Sequence, residues 1–286
     1  MQIVTDYAAD ISPEQLDGLE VHYLPLMITI DGKTYRSGVD ITHEEFYELQ
    51  AKAKQIPTTS QPSPGDFAEL YRSLAKKDPD ILSIHISSGL SGTVNAARIG
   101  ANAVSEANVE IYDTKTLSGA LGWHVEVAAK AVRAGLDKSR ILSLLRQVTE
   151  ATETFFTLST LKYLIHGGRI SHLKGLLASV LNIKPIIHVE KVNGTYATRG
   201  QARTINRAID EMADILESAH SPGTAMRLQI YHSQFPEGAA RLKEKLDKAF
   251  QCNWLPEGQI APVLGAHTGR GLVGIISAPE ALFPKV

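Results

Sequence analysis

Between residues 80 and 98 the sequence passes from a mostly apolar run through a hydroxyl-rich turn into a helix-forming segment. The run is Ile81 to Ile86, the turn is Ser87 to Thr93, and the helical segment starts with Val94 to Arg98. Strand, turn and helix in this order are the unit from which parallel sheets are built. Because a helix N-terminus presents unpaired backbone N–H groups, the same order predicts an anion-binding site.

This turn differs from a nucleotide phosphate loop in one respect. It contains four neutral donors, Ser87, Ser88, Ser91 and Thr93, and no lysine. A phosphate loop uses a lysine to reach the phosphates of its ligand. The turn is therefore expected to suit a carboxylate as well as a phosphate.

Short apolar runs alternate with helical patterns in the first half of the chain, which is typical of parallel βαβ units. After about Thr152 the alternation becomes irregular, and Asn193-Gly194 gives a strong hairpin signal. We predict an α/β fold of two domains. Residues 1–152 form a mainly parallel sheet flanked by helices and carry the Ser/Thr-rich loops, whereas residues 153–286 form a mixed or antiparallel sheet with helices.

Turn and capping residues predict several element boundaries. Asp31-Gly32 predicts a hairpin turn. Thr42 and Glu45 have the spacing of a capping box, and Ser63, followed by Pro64, is predicted as the N-cap of the next helix. Thr93 and Ser159 are predicted as further helix caps.

Composition excludes several classes of protein. The chain has 286 residues, of which 43% are hydrophobic, and a formal net charge of −2, so nothing global favours nucleic acid or an anionic membrane. Cys252 is the only cysteine, which excludes an intramolecular disulfide and a cysteine-based zinc site. Neither a signal-peptide pattern nor an apolar run of membrane-spanning length is present, so we expect a cytoplasmic protein without stable membrane insertion.

Three polar clusters stand near predicted element ends. They comprise residues 58–63, 87–93 and 265–271. Ligands of parallel sheets bind beyond the carboxyl ends of the strands. We therefore expect the first two clusters to converge with Asp6 and Asp113 at one crevice.

Helix capping is the alternative explanation for these hydroxyl groups. It accounts for Ser63, whereas Thr59 and Ser91 are not needed as caps and are the stronger functional candidates. His267 is either a donor in a site or a core histidine that backbone groups satisfy. Metal ligation by His267 is disfavoured, because no second ligand stands at a suitable spacing.

A serine hydrolase is a competing interpretation. Ser91, Asp113 and His267 follow the chain order of one hydrolase class, and Gly89 to Thr93 is similar to its nucleophile elbow. That elbow requires glycine at the position of Thr93. Ser91 is therefore predicted to donate a hydrogen bond to an anion instead of attacking a substrate.

A basic group and an apolar group complete the candidates. Gly167 to Ser171 includes Arg169, and Arg199 and Arg203 are predicted to face the same way on the start of a helix near Thr204; surface solvation is the alternative. Most of a large set of apolar residues are ordinary core, and some are candidates to line a tunnel. The set is Leu161, Leu164, Ile165, Leu173, Leu176, Leu177, Val180, Leu181, Ile183, Ile186 and Ile187.

Taken together, these motifs resemble those of the DegV family of bacterial fatty-acid-binding proteins over essentially the whole chain. The matching segments are Ile3 to Asp6 with Asp10, Pro57 to Ser63, Ser87 to Thr93, Asp113-Thr114, Gly167 to Ser171, Lys184-Pro185 and Gly265 to Gly269. The resemblance implies a two-domain α/β fold that encloses a long-chain fatty acid, with the second domain contributing to an acyl-chain tunnel. It also implies a non-catalytic role, without a further cofactor, in presenting the fatty acid to an ATP-binding fatty acid kinase, which forms an acyl phosphate for phospholipid synthesis.

The resemblance also implies roles for individual residues. The fatty acid carboxylate is expected at Thr59, Ser91, His267 and Thr268, supported by loop residues Ser60, Ser88, Gly89 and Gly92. Contacts with the acyl phosphate or the kinase are expected from Arg169, Arg199 and Arg203. Tyr7 and Arg270 depart from the family pattern, where a small residue and a proline are common. A serine hydrolase using Ser91 and a module for a small phosphate or nucleotide remain the alternatives.

Overall fold

A computed structural model of the protein describes residues 1–173 and 183–286. Fourteen strands are described there: β1 (Gln2–Asp6), β2 (His22–Leu24), β3 (Met27–Ile30), β4 (Lys33–Arg36), β5 (Thr58–Ser60), β6 (Asp80–His85), β7 (Asn108–Asp113), β8 (Glu153–Thr157), β9 (Lys184–Val189), β10 (Tyr196–Ala202), β11 (Ala225–His232), β12 (Gln251–Trp254), β13 (Gly258–Gln259) and β14 (Val273–Pro279).

The helices of the described residues fall between these strands. They are α1 (Pro13–Leu16), α2 (His43–Lys52), α3 (Pro64–Ala75), α4 (Thr93–Asn102), α5 (Ser118–Arg133), α6 (Lys138–Ala151), α7 (Lys162–His166), a 3-10 helix (Arg169–His172), α8 (Ile205–Ala219), α9 (Pro236–Ala249) and α10 (Pro262–Thr268). No helix of the described residues is both long and apolar enough to cross a membrane.

A parallel sheet with strand order β2-β1-β6-β7 is formed by the first part of the chain. Alternate side chains of β1 enter different cores: Val4 packs with Phe67 of α3, and Ile3 belongs to the group that includes Leu121 of α5. Helices thus cover both faces, which explains why these strands are nearly continuously buried. The predicted α/β fold is confirmed.

The first part of the chain also forms a separate three-stranded sheet with strand order β4-β3-β5. The hairpin predicted at Asp31-Gly32 joins β3 to β4, and both turn residues have positive φ, as a primed turn requires. The extended run predicted for residues 24–30 is interrupted at Pro25-Leu26, so its ends belong to different sheets.

The last part of the chain forms a mixed sheet with order β10-β9-β8-β14-β11-β12, to which β13 adds beside β11. All pairs from β10 to β11 are antiparallel, and β11 pairs in parallel with β12 and β13. The predicted mixed sheet is confirmed. The division into two domains at residue 152 stays a prediction, and the largest buried apolar group includes Leu121 and Leu264 from both parts.

Three local predictions are wrong. Gly92, not Thr93, is the N-cap of α4, and Leu161, not Ser159, is the N-cap of α7. Arg199 lies on β10 and Arg203 in the following loop, so the two do not share a helix; Thr204 caps α8. The strand pairing of residues 196–202 with β9 overrides the helical pattern there.

Candidate ligand-binding site

A polar pocket lies where β5, the turn after β6, the 3-10 helix and α10 meet. It contains about 530 Å³ of space unoccupied by protein atoms, part of which is open to solvent. Its walls are Leu26, Thr59, Ser60, Gln61, Ile86, Leu90, Ser91, Leu117, Arg169, Tyr196, Val263, Leu264, His267 and Thr268.

Thr59 and His267 form the central polar contact of this pocket. Thr59 Oγ1 lies 2.7 Å from His267 Nε2. Burial, together with the nearby positive charge of Arg169 and with His166, lowers the pKa of His267 to about 4, so the ring is neutral at pH 7. When Nε2–H donates to Thr59, the threonine proton is free to donate to an anion in the pocket.

Glycine at position 167 makes room for the imidazole. A Cβ added to Gly167 would lie 2.2 Å from His267 Nδ1, far inside normal contact. This Nδ1 is buried and has no hydrogen-bond partner among the residues that the structure describes. The close backbone approach fixes the ring with Nε2 toward Thr59.

Ser91 stands at the entrance to α4, on the wall of the same pocket. Its Oγ lies 2.8 Å from Thr93 Oγ1 and accepts a 3.3 Å hydrogen bond from the Thr93 backbone N–H. When Thr93 is also the donor between the two hydroxyls, the proton of Ser91 is available to a ligand. The helix N-terminus adds a favourable field for negative charge.

Arg169 supplies the positive charge of the pocket. Its Nε donates to the Leu90 carbonyl at 3.3 Å and its Nη1 donates to the Gly167 carbonyl at 2.6 Å. Both acceptors are neutral, so these bonds position the half-buried guanidinium without neutralising it. Among the residues that the structure describes, the pocket wall therefore combines neutral donors with the cationic Arg169.

An apolar cavity adjoins the polar pocket. The two spaces share Leu117, Tyr196, Leu264 and Thr268 as walls, and the cavity contains about 420 Å³ unoccupied by protein atoms. Its other walls are Ser118, Thr154, Phe155, Phe156, Tyr231, Ile260, Leu272, Gly274, Ile275 and Ile276.

Three of the five hydroxyl groups along this cavity are directed to protein acceptors. Ser118 donates to the Asp10 carboxyl group, Tyr231 to the Asp10 carbonyl, and Thr268 to the Leu264 carbonyl. Their protons are thus not offered to a ligand. The cavity presents hydrocarbon surface, whereas the adjoining pocket presents donors and a cation.

Six predicted site residues line the polar pocket: Thr59, Ser60, Ser91, Arg169, His267 and Thr268. Five others do not line it, namely Ser88, Gly89, Gly92, Arg199 and Arg203. Ser88 donates to Asp113, Gly89 packs against the β9–β10 turn, and Gly92 packs against Gln61. Arg199 and Arg203 are exposed.

The predicted convergence of Asp6 and Asp113 on this pocket is wrong. Asp6 is fully buried and accepts hydrogen bonds from the Ile86 backbone and His85, while Asp113 binds Ser88 and Lys115. Local partners therefore hold both carboxylates away from the pocket.

The two departures from the family pattern also lie outside the polar pocket. Tyr7 packs against Tyr23 and borders a different pocket. Arg270 is exposed, 6.0 Å from the centre of the Tyr47 ring.

Sequence reasoning did not select Tyr196, which borders both the polar pocket and the apolar cavity. Tyr196 follows the predicted Asn193-Gly194 hairpin, so the hairpin was visible in the sequence. The sequence did not indicate that the Tyr196 ring points toward these two spaces. Of the apolar residues considered for a tunnel, Leu176, Leu177, Val180 and Leu181 lie outside the described residues.

The hydrolase arrangement is not assembled. His267 contacts Thr59 instead of Ser91, and Asp113 contacts Ser88 and Lys115 instead of His267. Ser83, His85 and Asp6 do form a hydrogen-bonded series, but all three are fully buried. Among residues 1–173 and 183–286, no group of three His, Cys, Asp or Glu side chains is placed to hold a metal ion.

Comparison with known proteins gives concordant matches. A family model described as "Uncharacterised protein, DegV family" matches residues 1–280. A DegV domain-containing protein of Staphylococcus aureus is 35% identical over 274 residues, covering 96% of this chain and 97% of that protein.

Solved structures match over similar lengths. A DegV family protein from Thermus thermophilus, described for its fatty acid binding, has a TM-score of 0.87 at 28% identity and covers 97% of this chain and 99% of its own. DegV from Bacillus subtilis, described as a fatty acid binding protein, has a TM-score of 0.86 at 29% identity, with 98% and 99% coverage.

Proposed function

We propose, from the premise that this chain belongs to the DegV family, that it binds a long-chain fatty acid. The carboxylate occupies the polar pocket and the acyl chain occupies the apolar cavity. The observation that carries this proposal is the shared wall of Leu117, Tyr196, Leu264 and Thr268, which places hydrocarbon surface directly beside the hydrogen-bond donors. Such an arrangement matches a ligand with one charged end and a long apolar remainder.

The acyl chain supplies most of the affinity. Burial contributes about 0.8 kcal/mol per CH₂, or about 11 kcal/mol for a chain of about sixteen carbons before association and ordering costs. Donors at the head offset the desolvation of the carboxylate, at about 1.5–3 kcal/mol for each charge-assisted hydrogen bond. Thr59 and Ser91 are the two hydroxyl donors that we assign to this task.

His267 acts on the carboxylate through Thr59 in this proposal. A neutral imidazole that donates from Nε2 holds the threonine hydroxyl with its proton toward the ligand. Thr268 has a different role, because its hydroxyl donates to the Leu264 carbonyl. We assign Thr268 to the wall between the head and the chain.

The finer part of the proposal is that the protein presents the fatty acid to a separate ATP-binding kinase. This part is supported by the family resemblance. Arg169 borders the pocket and donates to two neutral carbonyl groups, so its positive charge is suited to the dianionic acyl phosphate. Arg199 and Arg203 are exposed and away from the pocket wall, and we assign them to the kinase contact.

We also propose that each of the two predicted domains supplies part of the head-group site. Residues 1–152 supply Thr59 and Ser91, and residues 153–286 supply Arg169 and His267. The head-group site would then lie at the junction of the two.

Lipid extraction and native mass spectrometry of the purified protein test the proposal. We expect a co-purifying long-chain fatty acid, or uptake of added palmitate with an increase in thermal stability. Hexadecanol serves as the control ligand, because it has the same chain without the carboxylate. A protein that neither retains nor takes up a fatty acid contradicts the proposal; stabilisation by phosphate or nucleotide instead would favour the phosphate-binding module.

A further inference from the structure

A third pocket lies on the other side of Tyr231 from the apolar cavity. Tyr231 borders both spaces, and it does not border the polar head pocket. This outer pocket contains about 1110 Å³ unoccupied by protein atoms, and exposed Glu257 stands on its rim. The Tyr231 ring therefore stands between the apolar cavity and a space open to solvent.

Two glycines and one hydrogen bond hold the ring in this position. A Cβ at Gly119 would lie 2.2 Å from Tyr231 Cε2, and one at Gly258 would lie 2.7 Å from Cε1. The phenol hydroxyl donates to the Asp10 carbonyl at 2.7 Å. Only 4% of Tyr231 is exposed, so the ring is tightly enclosed where the two spaces adjoin.

Pairs of hydrogen-bonded or adjacent residues form the remainder of the partition. Ser118 borders the apolar cavity and donates at 2.5 Å to the carboxyl group of Asp10, which borders the outer pocket. Ile260 borders the cavity, whereas its neighbour Ala261 borders the outer pocket and donates its N–H to Asp10. The partition thus presents mainly hydrocarbon surface to the apolar cavity and polar groups to the outer pocket.

We propose that the Tyr231 ring is the end wall of the acyl-chain path and sets the maximum length of the fatty acid. This inference rests on the proposed function. A methylene group gains affinity only while apolar surface receives it, at about fourfold per carbon. Carbons beyond the ring would have to displace it or stay in the cavity under compression, so affinity stops rising there.

A series of saturated fatty acids of increasing length tests the proposal in the full-length protein. For the wild type, affinity rises with each carbon up to a limit and then falls. Tyr231→Leu shortens the wall and joins the cavity to the outer pocket, so the limit moves to longer acids. We expect the ratio of affinities for acids just above and just below the wild-type limit to increase by about tenfold or more.

Tyr23→Leu is the matched control, because Tyr23 borders the outer pocket but not the apolar cavity. It is expected to leave the length limit unchanged. Gly258→Ala is the second variant, for use if Tyr231→Leu does not fold. Its added Cβ presses the ring toward the cavity and should move the limit to shorter acids.

The outcomes separate this inference from the proposed function. A wild type that binds fatty acids, with the same length limit in Tyr231→Leu and Gly258→Ala, overturns the end wall alone. An equal shift in Tyr23→Leu also overturns it. A wild type that binds no fatty acid of any length overturns both.

Discussion

The hydroxyl of Thr59 and Nε2 of His267 lie 2.7 Å apart, although 208 residues separate them in the sequence. Thr59 comes from a three-residue strand, and His267 comes from the last full turn of α10. Helix α10 packs against α2, β3 and β5, which brings the two side chains together. The head-group site thus depends on the packing of the end of the chain against its beginning.

Thr59→Val is predicted to weaken the binding of a fatty acid. Valine has nearly the same shape and lacks the donor, so the loss of one charge-assisted hydrogen bond should lower affinity by about tenfold to a hundredfold. Titration of palmitate and hexadecanol measures the effect, which should be confined to palmitate. Thr58→Val is the control, since Thr58 is exposed and does not border the pocket. Equal losses for both ligands would indicate damage to the fold instead.

Ser91→Ala is predicted to weaken carboxylate binding by a similar factor while the apolar cavity still takes up hexadecanol. The substitution removes the donor that stands at the start of α4. A fluorophosphonate should not label the wild-type serine, because neither His267 nor Asp113 contacts it. Covalent labelling that Ser91→Ala abolishes would favour the hydrolase interpretation.

Local patterns in the sequence were sufficient where a few neighbouring residues determine the structure. The capping box at Thr42, the N-cap at Ser63 and the hairpin at Asp31-Gly32 are all confirmed. Each depends on hydrogen bonds or backbone angles within about four residues. Helix α10 is not predicted from the sequence, because it is short and contains glycine. The need for glycine at position 265 becomes clear only in the fold, where the side chain of Tyr47 leaves no room for a Cβ.

The same distinction applies to the candidate site: local patterns predict some of its residues, whereas the fold determines the others. Thr59 and Ser91 were selected as polar residues unneeded for capping, and both border the pocket. Asp6 and Asp113 were expected beside them, since they end strands of the same sheet. In the structure these carboxylates instead contact His85 and Lys115. Such partners can be identified only once the pairing of the strands is known.

Gly167→Ala is predicted to reduce carboxylate binding as strongly as removal of the imidazole. The new Cβ would fall 2.2 Å from His267 Nδ1 and displace the ring from Thr59. Circular dichroism and palmitate titration together measure fold and binding. Gly65→Ala is the control, since its Cβ makes an ordinary 3.5 Å contact with Ser63. Unchanged binding in Gly167→Ala would show that the His267 position is unimportant.

Arg169→Gln is predicted to raise the pKa of His267. Burial is the larger cause of the lowered pKa, and the positive charge of Arg169 is the second, so its removal should recover part of the shift. NMR titration of the His267 ring measures the change. Arg199→Gln is the control, because Arg199 is exposed on β10. A pKa that falls or stays constant in Arg169→Gln would contradict the electrostatic coupling.

Asp10→Asn is predicted to remove a pH dependence of stability. Burial raises the pKa of Asp10 from 3.8 to about 7, despite hydrogen bonds from Ser118 and Ala261 that favour the charged form. A folded-state pKa above the unfolded value means that the folded protein binds the proton more tightly, so the stabilisation is complete below pH 3.8 and is lost as the pH rises through about 7. The loss amounts to about 4 kcal/mol at most.

Urea denaturation of the wild type and Asp10→Asn between acidic and neutral pH measures this difference. Buried His124 and His267 have lowered pKa values of about 4 and act in the opposite direction, but they are common to both proteins. The free energy of unfolding of the wild type minus that of Asp10→Asn should therefore decrease as the pH rises toward 7. A difference that is constant or increases over this range would show that Asp10 is already ionised in the folded protein.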